Sequence, residues 1–120
     1  METVLIIEDH ADTAVLTKLA LREQDYDAFA VSSRNEAIQF IKDDGIPDVI
    51  IMDWHMPGMS IEKFMAELTS LCKNYPLPRM ILATAGHDAD KVAKSLNIPE
   101  VLRKPFDPMN PFGHVDGWKV

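Results

Sequence analysis

The chain has 120 residues, 47% hydrophobic and 26% charged, and its 12 basic against 19 acidic residues give a net charge of −7. One domain with a self-supporting core is expected at this length, while the acidic balance argues against binding a nucleic-acid backbone, which needs clustered Lys and Arg. The single cysteine, Cys72, excludes an internal disulfide, and no apolar run is long enough to span a membrane, so we expect a small cytoplasmic domain.

The first strand and the first helix are predicted from hydrophobic periodicity. Residues 4–7, Val-Leu-Ile-Ile, form a continuous apolar run that is typical of a strand buried on both faces. From about 10 to 24 the sequence becomes amphipathic, with Ala11, Val15 and Leu19 on one helical stripe. A strand followed by a helix with one apolar face is therefore expected.

The second strand and helix follow in the same order. Residues 27–31 read as a strand, and Ser33 with Glu36 three residues later forms a capping box that begins a helix. Gly45 ends that helix, and residues 48–52 supply a third, largely apolar strand. The alternation thus continues through the middle of the chain.

The second half of the chain repeats this alternation. Ser60 can cap a helix whose apolar positions follow the i, i+3, i+4, i+7 template. Residues 79–83 then read as a fourth strand, Asp88 can cap a shorter helix, and residues 100–103 form a brief fifth strand. The apolar positions of the helix that begins after Ser60 are Ile61, Phe64, Met65, Leu68, Leu71 and Cys72.

Five strands alternating with four helices favour a parallel sheet, because each parallel pair needs a crossover connection. Since crossovers are right-handed in nearly all proteins, an α/β doubly wound sandwich with helices on both faces is expected. In such sheets ligands bind beyond the carboxyl ends of the strands. The residues that follow each strand are therefore the candidates for a site.

Four of the five strands end in residues whose chemistry belongs together. Glu8 and Asp9 follow the first strand, Asp53 the third, Thr84 the fourth and Lys104 the fifth. Converging carboxylates repel unless a cation lies between them, and a hard divalent cation such as Mg²⁺ takes carboxylate oxygens. Asp53 between a metal and Lys104 would be a nucleophile toward a phosphoryl group, with metal, ammonium and hydroxyl sharing the transferring charge.

Each of these residues also has an ordinary interpretation. Asp9 could be a turn former or helix N-cap, Thr84 could bond local backbone, and Lys104 could be a solvated charge. Only their combination favours phosphoryl transfer. The four histidines and Cys72 do not have the spacing of a zinc site. Cys72 itself is expected to be an inert core residue.

Four short segments surround the strand-end residues: 5–10 (Leu-Ile-Ile-Glu-Asp-His), 53–59 (Asp-Trp-His-Met-Pro-Gly-Met), 83–85 (Ala-Thr-Ala) and 104–106 (Lys-Pro-Phe). Together they resemble the receiver domain of two-component response regulators, over about residues 3–106. The Asp-x-x-Met-Pro-Gly-Met stretch is the most specific of them. The resemblance implies a flavodoxin-like three-layer sandwich with five parallel strands in the order 2-1-3-4-5.

The resemblance also implies a role for each residue of the cluster. Asp53 would accept a phosphoryl group from a phosphohistidine on a sensor histidine kinase or phosphotransfer protein. The domain would then be a signalling module that promotes only its own phosphorylation and dephosphorylation. The other implied residues are the Mg²⁺ ligands Glu8, Asp9, Asp53 and the backbone carbonyl of His55, the switch hydroxyl of Thr84, and Lys104 in contact with the phosphoryl group.

Two features depart from the family pattern. Val101 stands three residues before Lys104, at the switch position where the family usually carries an aromatic ring that turns inward, a swing that valine cannot make. Residues 107–120 contain two prolines and two glycines, which disfavour a helix. We therefore expect a receiver domain at residues 1–106 and an atypical C-terminal segment at 107–120 in place of a regular fifth helix, packed on the domain or extending from it.

Three functional hypotheses are open. The leading one is a receiver that is phosphorylated on Asp53 with Mg²⁺ and switches the binding of an unknown downstream protein. The second is a phosphorylation-independent interaction domain with the same fold. The third, an aspartyl-nucleophile phosphatase, is disfavoured because His55 stands where that family places a second aspartate. We expect a monomer or weak dimer, either stand-alone or excised from a longer protein.

Overall fold

The computed structural model describes residues 2–84 and 100–103 of the chain. The helix predicted to begin at Asp88, residue Lys104 and the segment 107–120 lie outside the described residues. That helix, the atypical C-terminal segment and the domain division after residue 106 therefore stay predictions.

Every strand and helix predicted within the described residues is present, with ends that differ by one or two positions. The strands are β1 (Thr3–Ile7), β2 (Asp27–Val31), β3 (Val49–Asp53), β4 (Arg79–Thr84) and β5 (Glu100–Arg103). The helices are α1 (Ala11–Glu23), α2 (Arg34–Asp44) and α3 (Ile61–Leu71). None of these helices combines the length and apolar character needed to cross a membrane.

The five strands form one parallel sheet in the order β2-β1-β3-β4-β5, which confirms the predicted topology. In the register of the sheet, Ile7 lies opposite Met52 and Asp53 lies opposite Ala83. Thr84 in turn lies opposite Arg103 at the end of β5. The carboxyl ends of β1, β3, β4 and β5 therefore meet at one edge, as the alternation of elements predicts.

Two apolar layers cover the faces of the sheet, because alternate strand residues point to opposite sides. Leu5 and Ile7 belong to the layer that contains α2 and α3, whereas Val4 and Ile6 belong to the layer that contains Leu21 of α1. Burial on both sides explains why β1 and β3 are apolar without alternation. Cys72 is buried in the first layer, as predicted for a core residue.

Both predicted serine caps are present. The Ser33 hydroxyl accepts a hydrogen bond from the Glu36 N–H, and the Ser60 hydroxyl accepts one from the Lys63 N–H, each at 3.1 Å. The Glu36 carboxylate in turn accepts hydrogen bonds from the backbone N–H and the hydroxyl of Ser32, the residue before the cap, both at 2.8 Å. These two bonds lower the pKa of the Glu36 carboxyl. Hydrogen bonds from Glu36 to Ser33 and from Ser32 to Glu36 therefore hold the first turn of α2 in place.

The apolar stripe predicted for α1 is not the buried face. Val15, Leu16 and Leu19 are 49–54% exposed. Three of the four buried residues of the helix have small side chains, and the hydroxyl of Thr17 remains satisfied because it donates to the Thr13 carbonyl at 2.8 Å. The buried residues of α1 are Ala14, Thr17, Ala20 and Leu21.

Candidate functional site

The carboxyl ends of β1 and β3 bring three acidic residues together. Glu8 follows β1, Asp53 ends β3, and each is only 5% exposed, whereas Asp9 is exposed. One ligand atom from each of these acids, and one from His10, lie within 4.8 Å of one another. The sequence therefore identified an acidic cluster that the fold assembles.

His10 is a member of the cluster to which the sequence assigned no role. It is the N-cap residue of α1, and its side chain makes no capping hydrogen bond. Its Nδ1 lies 3.3 Å from an Asp9 oxygen and 3.6 Å from a Glu8 oxygen. The N-cap interpretation of Asp9 is therefore wrong. The available signal was the position of His10 directly after two acids.

The donor set of the cluster fits a hard divalent cation. The carboxylates of Glu8 and Asp53 are both removed from water and contribute oxygens within 4.8 Å of each other. Such a pair repels unless positive charge lies nearby. One ligand atom of each acid already lies within 4.8 Å of the others, and carboxylate oxygens are the donors that Mg²⁺ takes in proteins. A cavity of about 10 Å³ beside Glu8 and Asp53 adds room for about one water molecule.

The backbone after Asp53 is held by the neighbouring strand and by the carboxylate itself. The Trp54 N–H donates to the Ala83 carbonyl of β4 at 2.9 Å. The His55 N–H donates to Oδ1 of Asp53 at 3.3 Å. Gly58 has a φ of 92°, a conformation that favours glycine, in the turn toward α3. The orientation of the Asp53 carboxylate is thus tied to the conformation of this loop.

Arg34 also holds the loop and was not identified from the sequence. Its side chain is 3% exposed and donates to the backbone carbonyls of Asp53, Trp54 and Met59 at 3.0, 3.0 and 2.8 Å. Burial lowers the pKa of the guanidinium, and the nearby Asp53 charge acts in the opposite direction. No local pattern signals this contact, because Arg34 and Asp53 are 19 residues apart.

The remaining predicted site residues lie near this edge or outside the described residues. Thr84 ends β4 one residue beyond the partner of Asp53, and it pairs with Arg103. Lys104 is the next residue in the chain, outside the described residues. The roles assigned to Thr84, Lys104 and Val101, and to the backbone carbonyl of His55, stay predictions.

Comparison with known proteins identifies the family. A family model for the response regulator receiver domain matches residues 4–114. The chain is also 28% identical over 109 residues to "Response regulator GtcR" of Aneurinibacillus migulanus. That match covers 90% of the chain and 43% of the relative, so the chain spans less than half of that protein's length.

Solved structures show the same fold. The chemotaxis response regulator CheY4 of Vibrio cholerae superposes with a TM-score of 0.76 at 24% identity, covering 94% of each chain. A response regulator described as putative, from Chloroflexus aurantiacus, gives 0.74 at 27% identity, covering 92% of this chain and 90% of that one. The resemblance seen in the strand-end motifs is therefore confirmed, and the chain belongs to the family of response regulator receiver domains.

Proposed function

We propose that the chain accepts a phosphoryl group on Asp53 from a phosphohistidine of a sensor histidine kinase or phosphotransfer protein, in a Mg²⁺-dependent reaction. The observation that carries the proposal is the acidic cluster at the carboxyl edge of the sheet. It combines a buried Asp53 with Glu8 and Asp9 within 4.8 Å. Membership of the receiver family supports the same function.

The proposed step is a displacement at phosphorus. A carboxylate oxygen of Asp53 forms the new P–O bond as the P–N bond to the donor imidazole breaks, and the bonding electron pair leaves with the imidazole nitrogen. The product is an acyl phosphate on Asp53. Mg²⁺, when bound, would neutralise charge on the transferring oxygens. Glu8, Asp9, Asp53 and the His55 carbonyl would hold it.

Three further residues are assigned to the response. Thr84 and Lys104 are at or directly beyond the ends of β4 and β5, so we assign them to contacts with the phosphoryl group. Val101, whose backbone lies opposite Leu82 in the sheet, is assigned to the switch. A change at Thr84 would then alter the binding of a downstream protein in the cytoplasm.

Labelling with a small phosphodonor tests the proposal. The chain is incubated with acetyl phosphate, with and without Mg²⁺, and its intact mass is measured. We expect one added phosphoryl group in the wild type with Mg²⁺, and none in Asp53→Asn. Glu8→Gln should be labelled more slowly, because it removes a proposed metal ligand.

Asp48→Asn is a matched control, since Asp48 precedes β3 at the opposite edge of the sheet and accepts a hydrogen bond from the Thr3 N–H at 2.8 Å. This variant should be labelled like the wild type. An unlabelled wild type would instead favour a phosphorylation-independent interaction domain. Equal labelling of Asp53→Asn would contradict the assignment of the acceptor.

A further inference from the structure

We propose that Arg34 is a positioning residue for the phosphoacceptor, because its guanidinium holds the peptide unit whose N–H orients the Asp53 carboxylate. The inference rests on the proposed function, since it concerns how the residue that receives the phosphoryl group is held. Arg34, the first residue of α2, would thus contribute to the phosphorylation of Asp53 at the end of β3.

The burial of Arg34 needs an explanation. Arginine is rarely fully buried unless it is paired, because removing its charge from water is costly. Arg34 is 3% exposed, and each of its hydrogen bonds within the described residues ends on a backbone carbonyl of the segment 53–59. The hydrogen bonds that compensate for burying this charge therefore come from the loop that follows Asp53.

The guanidinium forms hydrogen bonds at both ends of the segment 53–59. Nη2 donates to the carbonyls of Asp53 and Trp54, both at 3.0 Å, and Nη1 donates to the carbonyl of Met59 at 2.8 Å. A planar fork with fixed donor directions constrains the orientation of the groups it binds. The two peptide units after Asp53 are thereby fixed relative to the start of α2.

A single peptide unit connects Arg34 to the reactive carboxylate. The Trp54 carbonyl, which accepts from Nη2, and the His55 N–H, which donates to Oδ1 of Asp53, belong to the same planar group. Binding a cation at the carbonyl fixes this plane and polarises the unit, which strengthens its N–H as a donor. Arg34 therefore acts on Asp53 through the backbone.

The arrangement does not maximise stability. Nε of Arg34 is buried and has no hydrogen-bond partner within the described part of the chain. A buried donor without a partner destabilises the folded state. Local violations of this kind are expected at functional sites. A residue needed only to fill this space would be apolar, whereas the guanidinium supplies the loop with three directed bonds.

The test is the rate of Asp53 labelling at saturating acetyl phosphate and Mg²⁺. Arg34→Lys keeps the charge but loses the fork, and Arg34→Met loses both. We expect each to lower the saturating rate by about 10- to 100-fold with little change in KM for acetyl phosphate, because misplacement by about 1 Å has effects of this size. Arg22→Met is the matched control, since Arg22 also binds a backbone carbonyl, that of Ala28, at 3.2 Å. It should leave the rate unchanged.

A second measurement separates positioning from folding. We expect exchange of the His55 amide proton, followed by NMR, to be faster in folded Arg34→Lys than in the wild type. If Arg34→Met does not fold, the positioning role is judged from the labelling rate and His55 protection of Arg34→Lys alone. A folded Arg34→Lys with wild-type labelling and wild-type His55 protection would overturn the inference. An unlabelled wild type would refute the proposed function instead, and His55 protection alone would then support or overturn the positioning role.

Discussion

Two leucine-to-alanine substitutions in α1, Leu21→Ala and Leu19→Ala, should differ greatly in their effect on the free energy of unfolding. Leu21 is 0% exposed on the buried face of α1, whereas Leu19 is 52% exposed. Truncating a fully buried leucine removes its burial and leaves a cavity, at a cost of about 2.7–5 kcal/mol. Burial of a whole leucine is worth about 1.5–3 kcal/mol, so truncating the half-exposed Leu19 should cost about 1 kcal/mol. Leucine and alanine differ little in helix propensity.

Urea unfolding followed by circular dichroism measures the difference. With a slope of about 1.5 kcal/mol/M, a loss of about 3 kcal/mol in Leu21→Ala lowers the midpoint by about 2 M. Leu16→Ala is a second control, because Leu16 is 54% exposed on the same helix. If Leu19→Ala shifted the midpoint as far as Leu21→Ala, the assigned buried face of α1 would be wrong.

A helix cap, an exposed carboxylate and a buried thiol give three further predictions. Ser60→Ala removes the acceptor for the Lys63 N–H and should lower the free energy of unfolding by about 1 kcal/mol in urea; an unchanged midpoint would contradict the cap. Ser32 lowers the pKa of Glu36, so the stabilisation by Glu36 is present above the ordinary glutamate pKa and is lost as the pH falls through the lowered value. The stability difference between the wild type and Glu36→Gln should therefore close in acid, and a difference independent of pH would refute this. Burial raises the pKa of the Cys72 thiol, so a thiol reagent in mildly alkaline buffer should modify it only after urea unfolding; rapid modification of the folded chain would contradict its placement.

The sheet was predictable because its strands carry their own signal. A strand buried on both faces needs a continuous apolar run, and residues 4–7 and 49–52 have one. The buried face of α1 was not predictable from apolar side chains alone. The buried face consists of the small residues Ala14, Thr17 and Ala20 together with Leu21, whereas Val15 is exposed. Thr17 is tolerated there because its hydroxyl bonds within the helix.

The same distinction applies to the site. Glu8, Asp9 and Asp53 were predictable as a group, because parallel topology brings the carboxyl ends of strands to one edge. Arg34 was not, since its contact with the loop after Asp53 depends on how α2 packs against α3 and β1. At the start of a helix after a cap serine, an arginine reads as a solvated charge. Only the packed structure shows that it is buried.

Chemical mapping of the phosphoryl group tests most directly whether Asp53 is the acceptor. Hydroxylamine converts an acyl phosphate to a hydroxamate and releases phosphate, so it marks the carboxyl group that carried the label. The chain would be treated with acetyl phosphate and Mg²⁺ and then with hydroxylamine, and its peptides sequenced by mass spectrometry. We expect one hydroxamate, at Asp53, that is absent without Mg²⁺ and absent in Asp53→Asn. A hydroxamate at Glu8 or Asp9, or none in the wild type, would contradict the assignment of Asp53 as the phosphoacceptor.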